Sequence, residues 1–315
     1  MNIHEPFNTV VLSIAAVERD TGIGKDTLRV WERRYGFPTP SRDANGERVY
    51  PMAQVEKLRI IKRLMDQGHR PGRIVAQPVE QLQHLSQAQI ATPQRLYPSA
   101  ASQVDLRQYV ELLIVHDSDG LRRQLNQVIA REGLKYFVTD LVAPLTTAVG
   151  DAWMRGELEV FEEHAYTECV TGLLRHAINA LTEHATDGVP SVLLTTFPQE
   201  SHGLGLLMAE SMLALEGCRC ISLGTQTPLR DIAQAVVAHS VDVVALSFSV
   251  SMNAKQAMDG LAELRQLLPP SVEVWAGGQC AALQRREQTH AVVLRDLVSI
   301  DHEIKRWRKQ HAAQA

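Results

Sequence analysis

The apolar residues of this chain change their period near residue 190. Between 105 and 186 four stretches repeat apolar side chains at helical spacing. They are Leu106, Val110, Leu113 and Ile114; Leu121, Leu125, Val128 and Ile129; Phe137, Leu141, Leu145 and Val149; and Val170, Leu173, Leu174, Ala177, Ile178 and Leu181. Such spacing puts each set on one helix face, and short connections predict antiparallel neighbours, hence a four-helix bundle over 105–186. Downstream come short apolar runs of the buried-strand type: 192–196, 220–223, 243–248, 272–275 and 291–294. Helical stretches separate them, which predicts a Rossmann-like parallel α/β sheet over 190–300 and leaves 301–315 as a C-terminal helix or tail. Ligands of such sheets bind beyond the carboxyl ends of the strands. Those ends hold 197–205, 224–228, 247–251 and Gly277-Gly278.

The 315 residues are 45% hydrophobic and 22% charged, which excludes wholesale disorder and a collagen-like repeat. No apolar run reaches the roughly 18 residues of a membrane helix. Val10 to Val17 is interrupted by Ser13 and follows Glu5, so it is not a signal peptide. Cys169, Cys218, Cys220 and Cys280 show no C-x-x-C spacing, so neither a disulfide scaffold nor a zinc ribbon is expected. Reduced thiols, a cytoplasmic location and no membrane partner are the expectation.

Residues 11–75 hold thirteen Lys/Arg against eight Asp/Glu, a net of +5 in a chain of net charge −4. A basic module joined to an acidic body suggests that only the first part meets a polyanion. Ser13 can cap a first helix, Thr21 to Gly24 form a turn, and Lys25 to Tyr35 form a second helix, stopped by the Gly36 to Pro40 segment. Asn45-Gly46 predicts a two-residue hairpin turn, and a third helix after Pro51 places Val55, Leu58, Ile61 and Leu64 on one face. The Gln-, Pro-, Ser- and Ala-rich residues 76–104 read as a linker. Two short helices around a glycine turn have helix-turn-helix geometry. Leu28 and Trp31 then face the core, Lys25, Thr27, Arg29 and Arg33 face outward, and Arg42, Arg48 and Tyr50 are candidate phosphate contacts on the hairpin arm. The run T-L-R-x-W-E-R-R-Y-G-F-P-x-P-x-R-x-x-x-G-x-R-x-Y resembles the MerR family of winged-helix regulators. That resemblance implies double-stranded operator DNA as partner, competition with RNA polymerase at a promoter, and a homo-oligomer. No heptad pattern follows the module, so dimerisation is expected from the body.

Two constellations mark the body. Trp153 precedes Glu163-His164 by a nine-residue spacer, and Val160, Glu163 and His164 share a helix face at i, i+3, i+4. The plain reading is a core Trp with Glu residues favouring a helix N-terminus. Glu200-Ser201-His202-Gly203-Leu204-Gly205 follows the first strand of the sheet. There His202 is a potential metal ligand, Glu200 could fix its tautomer, and the glycines permit close backbone approach. The plain reading is a loop His before a glycine helix start. Taken together, E-x-H-x-x-G resembles the cobalamin-binding D-x-H-x-x-G motif, with Glu for Asp. Ser247-Phe248-Ser249 resembles the later S-x-L, departing at its third position, and Gly277-Gly278 resembles the paired glycines lining the nucleotide-tail groove. With the Trp153 to His164 cap, the whole order resembles CarH/LitR-type cobalamin regulators. The resemblance implies adenosylcobalamin between bundle and sheet, His202 as lower axial cobalt ligand, and Trp153, Val160, Glu163 and His164 around the adenosyl group. It also implies repression released by light through a change of assembly, dimer or tetramer, and no enzymatic activity. One departure is Met154, where the light-sensing branch carries a His. The competing readings are a MerR-type regulator that senses cobalamin, another ligand or a protein without light, and a corrinoid methyl-transfer module. The fused winged helix and bulky Trp153 argue against the latter.

Overall fold

A computed structural model describes residues 11–43, 46–66, 69–88, 105–182, 189–250, 252–280, 282–283 and 290–312. The chain divides near residue 95 into two compact units. No helix among the described residues is long and apolar enough to cross a membrane.

In the first unit, β1 (Val11–Ser13) runs into α1 (Ile14–Thr21), whose start is capped by Ser13 Oγ accepting from the Ala16 N–H at 3.3 Å. Gly22, at φ 68°, ends α1 in the left-handed conformation. After α2 (Lys25–Tyr35), β2 (Ser41–Arg42) and β3 (Arg48–Pro51) complete an antiparallel sheet of order β1-β3-β2. α3 (Met52–Asp66) buries Val55, Leu58, Ile61 and Leu64 completely against Val17, Leu28 and Trp31.

Two expectations are corrected here. The hairpin turn is not the two-residue Asn45-Gly46 type. Asp43 N–H donates to Glu47 O at 2.9 Å and Gly46 N–H to Asp43 O at 3.0 Å, so three residues bridge the strands, with Gly46 at φ 79°. A left-handed residue after a single turn restores the strand twist in three-residue loops. Asn45 itself lies outside the described residues. α4 (Pro71–Ile74) precedes the expected linker 76–104, which itself begins with helix, α5 (Val79–Ala88), and Leu82 is fully buried in the same core as Ile74 and Val75. The rest of that linker, 89–104, lies outside the described residues.

The second unit opens with α6 (Arg107–Ile114) and α7 (Ser118–Tyr136). Gly133, at φ 82° and ψ 167°, breaks α7 and turns the chain without a loop. A π-helical segment, Phe137–Val142, passes directly into α8 (Ala143–Arg155), and α9 (Val160–Thr182) follows. The wider π turn places the adjacent pairs Phe137/Val138 and Leu141/Val142 in the core together. Ile114 and Leu181, expected on apolar faces, are 43% and 37% exposed, because each lies in the last turn of its helix.

β4 (Ser191–Thr195), α10 (Leu204–Leu215), β5 (Arg219–Gly224), α11 (Leu229–His239), β6 (Val243–Phe248), α12 (Ala254–Leu267), β7 (Glu273–Gly278), β8 (Val292–Leu294) and α13 (Ser299–Ala312) complete the chain. The five strands are parallel in the order β5-β4-β6-β7-β8. Strand alternation feeds two cores. Val192, Leu194, Val243, Ala245 and Trp275 join α10, α13 and the bundle, whereas Leu193, Val244, Leu246, Val274 and Ala276 join α11 and α12. α10 is apolar nearly all round because it lies between sheet and bundle; its buried Glu210 accepts from Arg175 of α9 at 2.9 Å. The chain leaves β4 toward β5 on one side and reaches β6 on the other. Loops after β4 and β6 therefore open a crevice, where parallel sheets bind ligands.

Candidate ligand site and nucleic-acid interface

The loop after β4 and the end of β6 meet at one carboxylate. Glu200 is 1% exposed. Its Oε1 accepts from the His202 backbone N–H at 3.0 Å and from His202 Nδ1 at 2.6 Å. Its Oε2 accepts from both the backbone N–H and the hydroxyl of Ser249, each at 2.7 Å. Burial pushes the Glu200 pKa up, but the donors from His202 and Ser249 outweigh it and hold the carboxyl below its ordinary value. An ionised Glu200 requires the His202 proton on Nδ1, which puts the lone pair on Nε2, the nitrogen suited to a metal. The His202 side chain is 60% exposed at the crevice.

Close backbone approaches surround this group. A Cβ on Gly205 would stand 2.9 Å from Ser247 Oγ, one on Gly203 3.3 Å from Thr225 Cγ2, and one on Gly278 2.2 Å from the Phe248 carbonyl oxygen. Gly278 also has φ 109°, so no other residue fits there without strain. Gly277 and Gly278 pair with Ser247 and Phe248 across β6 and β7. Glu200, His202, Gly203, Gly205, Ser247, Ser249, Gly277 and Gly278 thus share the carboxyl edge of the sheet. Sequence reasoning passed over Thr196, whose hydroxyl donates to Glu200 O at 2.6 Å and accepts from the Gln226 N–H at 2.8 Å, tying two edge loops together. A polar Thr-Thr pair ending an apolar strand was the available signal. The four cysteines are free thiols, and burial pushes Cys218 up to about 12.

The expected cap residues flank one turn. Gly156 N–H donates to Trp153 O and Glu157 N–H to Ala152 O, closing α8 so that Trp153 occupies its last turn, packed against the bundle core. Val160 opens α9 and is half-buried, as is Glu163, whose Oε1 accepts from the Thr167 hydroxyl at 2.8 Å. His164 is 70% exposed, with Nε2 3.7 Å from Glu163. Glu162, not Glu163, caps the helix: it accepts from the Glu159 N–H at 2.6 Å and meets His116 Nε2 at 2.9 Å. Glu163 is therefore not committed to the helix start and lies between Thr167 and His164. Neither His116 nor Glu162 was singled out in the sequence.

In the first unit, Leu28 and Trp31 are buried, while Thr27, Arg29, Arg33 and Arg42 are exposed and Lys25 is half-buried. Arg29 bonds Asp26 at 2.9 Å, Lys25 lies 3.3 Å from Glu18, and Arg48 donates to Glu32 at 3.0 Å. Tyr50 is a correction. It is fully buried in the unit's core, so its hydroxyl is not presented to a phosphate. Its place on β3 opposite Leu12 turns the side chain inward.

A winged helix-turn-helix followed by a helical region and a parallel sheet with an edge histidine is the architecture of a DNA-binding regulator joined to a ligand-binding domain. Residues 12–76 match the MerR HTH family of regulatory proteins, and residues 105–178 and 190–297 each match a B12 binding domain. The chain is 35% identical over 271 residues to the HTH-type transcriptional repressor CarH of Myxococcus xanthus, covering 82% of this chain and 86% of the relative. It is 32% identical over 241 residues to the repressor CarA of the same organism, covering 76% and 77%. The monomethylamine corrinoid protein of Methanosarcina barkeri superposes with a TM-score of 0.50 at 14% identity, over 63% of this chain and 96% of that one, which is a likeness of fold. The chain belongs to the CarH-type MerR regulators with a C-terminal cobalamin-binding domain, and is a regulator rather than an enzyme.

Proposed function

We propose that this chain is a repressor that holds adenosylcobalamin between bundle and sheet and releases operator DNA in the light. The observation that carries the reading is the His202 ring, exposed at the sheet edge with its Nδ1 held by buried Glu200. That donor fits cobalt, and the absence of a Cβ at 205 and 278 lets α10 and β7 pack tightly on Ser247 and Phe248 at the same sheet edge. When bound, the cofactor supplies a cobalt–carbon bond that visible light cleaves. His202 Nε2 would hold the cobalt, with its ring oriented by Glu200. Ser247, Ser249, Gly203, Gly205, Gly277 and Gly278 would line the groove. Trp153, Val160, Glu163 and His164 would enclose the adenosyl group, with Glu163 available for its polar atoms because Glu162 already caps α9. Trp153 would lose packing once that group is gone, and the cap would relax. A homo-oligomer then loses subunits and, with them, avidity for paired half-sites. Repression would follow from excluding RNA polymerase at the promoter.

The test is size-exclusion chromatography and operator binding of the adenosylcobalamin-loaded chain, dark against illuminated. The dark form should elute as a dimer or larger and bind DNA tightly; illumination should shrink it and release DNA. Trp153→Ala should retain cobalamin and lose the response. Identical elution and affinity in both states would leave a regulator that senses cobalamin without light.

A further inference from the structure

α2 carries one side chain that local energetics do not explain. Its buried line is Leu28 and Trp31, with Glu32 and Tyr35 half-buried beside them. At about 100° per residue, Asp26, Val30 and Arg33 occupy the opposite face. Val30 is 43% exposed and belongs to none of the apolar clusters of the described residues. A β-branched residue on an exposed helix turn loses rotamer freedom, and Lys, Gln or Ala would serve the helix better. Thr27, one turn earlier, is also β-branched and exposed. Around these two stand Arg29, Arg33 and Arg34, all exposed. Arg29 is braced by Asp26 at 2.9 Å. An apolar spot flanked by three arginines, with the Asp26 carboxylate on that face paired to Arg29, matches a surface with anionic edges and an apolar centre, as the phosphates and base edges of a DNA groove provide.

We propose that Val30 reads sequence by packing its methyl groups on the 5-methyl of a thymine in the major groove, with the Thr27 methyl beside it. This rests on the reading of α2 as the helix that enters DNA, and adds what it selects there. Thymine is the one standard base whose major-groove edge carries a methyl group. A valine offers no donor or acceptor, so against guanine, adenine or cytosine it would desolvate a polar edge without return. The surrounding arginines supply affinity and register, while Val30 contributes discrimination.

The experiment uses the full-length chain and Val30→Ala, each with and without adenosylcobalamin in the dark. Each protein selects sites from a random-sequence duplex library, and thymines of the wild-type site are then replaced singly by deoxyuridine, which lacks the methyl. One thymine per half-site should weaken wild-type binding about fourfold when replaced, the worth of one buried methyl. Val30→Ala should narrow the gap between the thymine and deoxyuridine duplexes, should weaken the preference for thymine at that position of its selected sites, and should keep the wild-type salt slope, because no phosphate contact is lost. Its melting temperature should not fall, since alanine suits an exposed helix site. If no thymine behaves this way, or if the variant loses the same factor at every one, the assignment is overturned. Failure of the wild-type chain to enrich any sequence would overturn the operator reading and this one with it.

Discussion

Glu200 divides its two oxygens between two partners that lie 2 and 49 residues away in sequence. Its side chain is one methylene longer than the Asp of the motif it resembles. The reach to Ser249, which stands at the third position of S-x-L, is what that methylene provides. Glu200→Asp should therefore satisfy one partner only and weaken cobalamin binding by about 10–100-fold, the usual cost of losing a group that orients a metal ligand. Ser249→Ala, which keeps the backbone donor, should cost less. Absorbance titration with cobalamin checks both, and unchanged affinity in both would show that the Glu200 clamp does not orient His202. The pH dependence has a definite sign. The folded-state pKa of Glu200 is lowered, so its contribution to stability is present above its unfolded value of about 4.3 and is lost as pH falls through the folded value. Urea unfolding of Glu200→Gln should show a shallower acid limb than the wild-type chain.

Among the elements, α5 shows where periodicity reasoning fails. Residues 79–88 contain three Gln, and among the described side chains of the helix Leu82 is fully buried. So short a helix gains little from its own propensity and stands on its contacts with α3, which a local pattern cannot display. Leu82→Ala should destabilise the first unit by about 2–4 kcal/mol. Its thermal transition should fall while cobalamin affinity stays unchanged. An unshifted transition would return the segment to a linker. The hairpin failed for a related reason: Asn-Gly favours left-handed backbone, but whether it closes two or three residues depends on the pairing of Arg42 with Arg48. The π-helical segment was invisible because Phe137, Leu141, Leu145 and Val149 keep helical spacing whether or not the turn widens.

At the scale of the molecule, the two units have separate cores. Electrostatics divides them too, a basic module on an acidic chain. Arg29→Ala should weaken operator binding and lower the salt slope by roughly one. The same variant should bind cobalamin as tightly as wild type. Arg48 is engaged by Glu32 at 3.0 Å in a half-buried pair, whereas the Arg29–Asp26 pair is exposed, so Arg48 should lose less on substitution. Fluorescence anisotropy across a salt series measures both; equal slopes in all three proteins would remove these cations from the DNA face.

The order of modules was legible because each announces itself within a few turns of chain: the α2 run with its glycine stops, the change of period at 190, and E-x-H-x-x-G at a strand end. These are local signals, carried by backbone preference and spacing. What the tertiary structure alone decided are pairings across the chain. Tyr50 went inward because β3 lies between β1 and β2. Glu162 took the helix cap and left Glu163 beside Thr167. Ser249 reached Glu200 only once β6 had docked beside β4. Such choices follow from which surfaces exclude water together, and that is a property of the folded chain rather than of any segment.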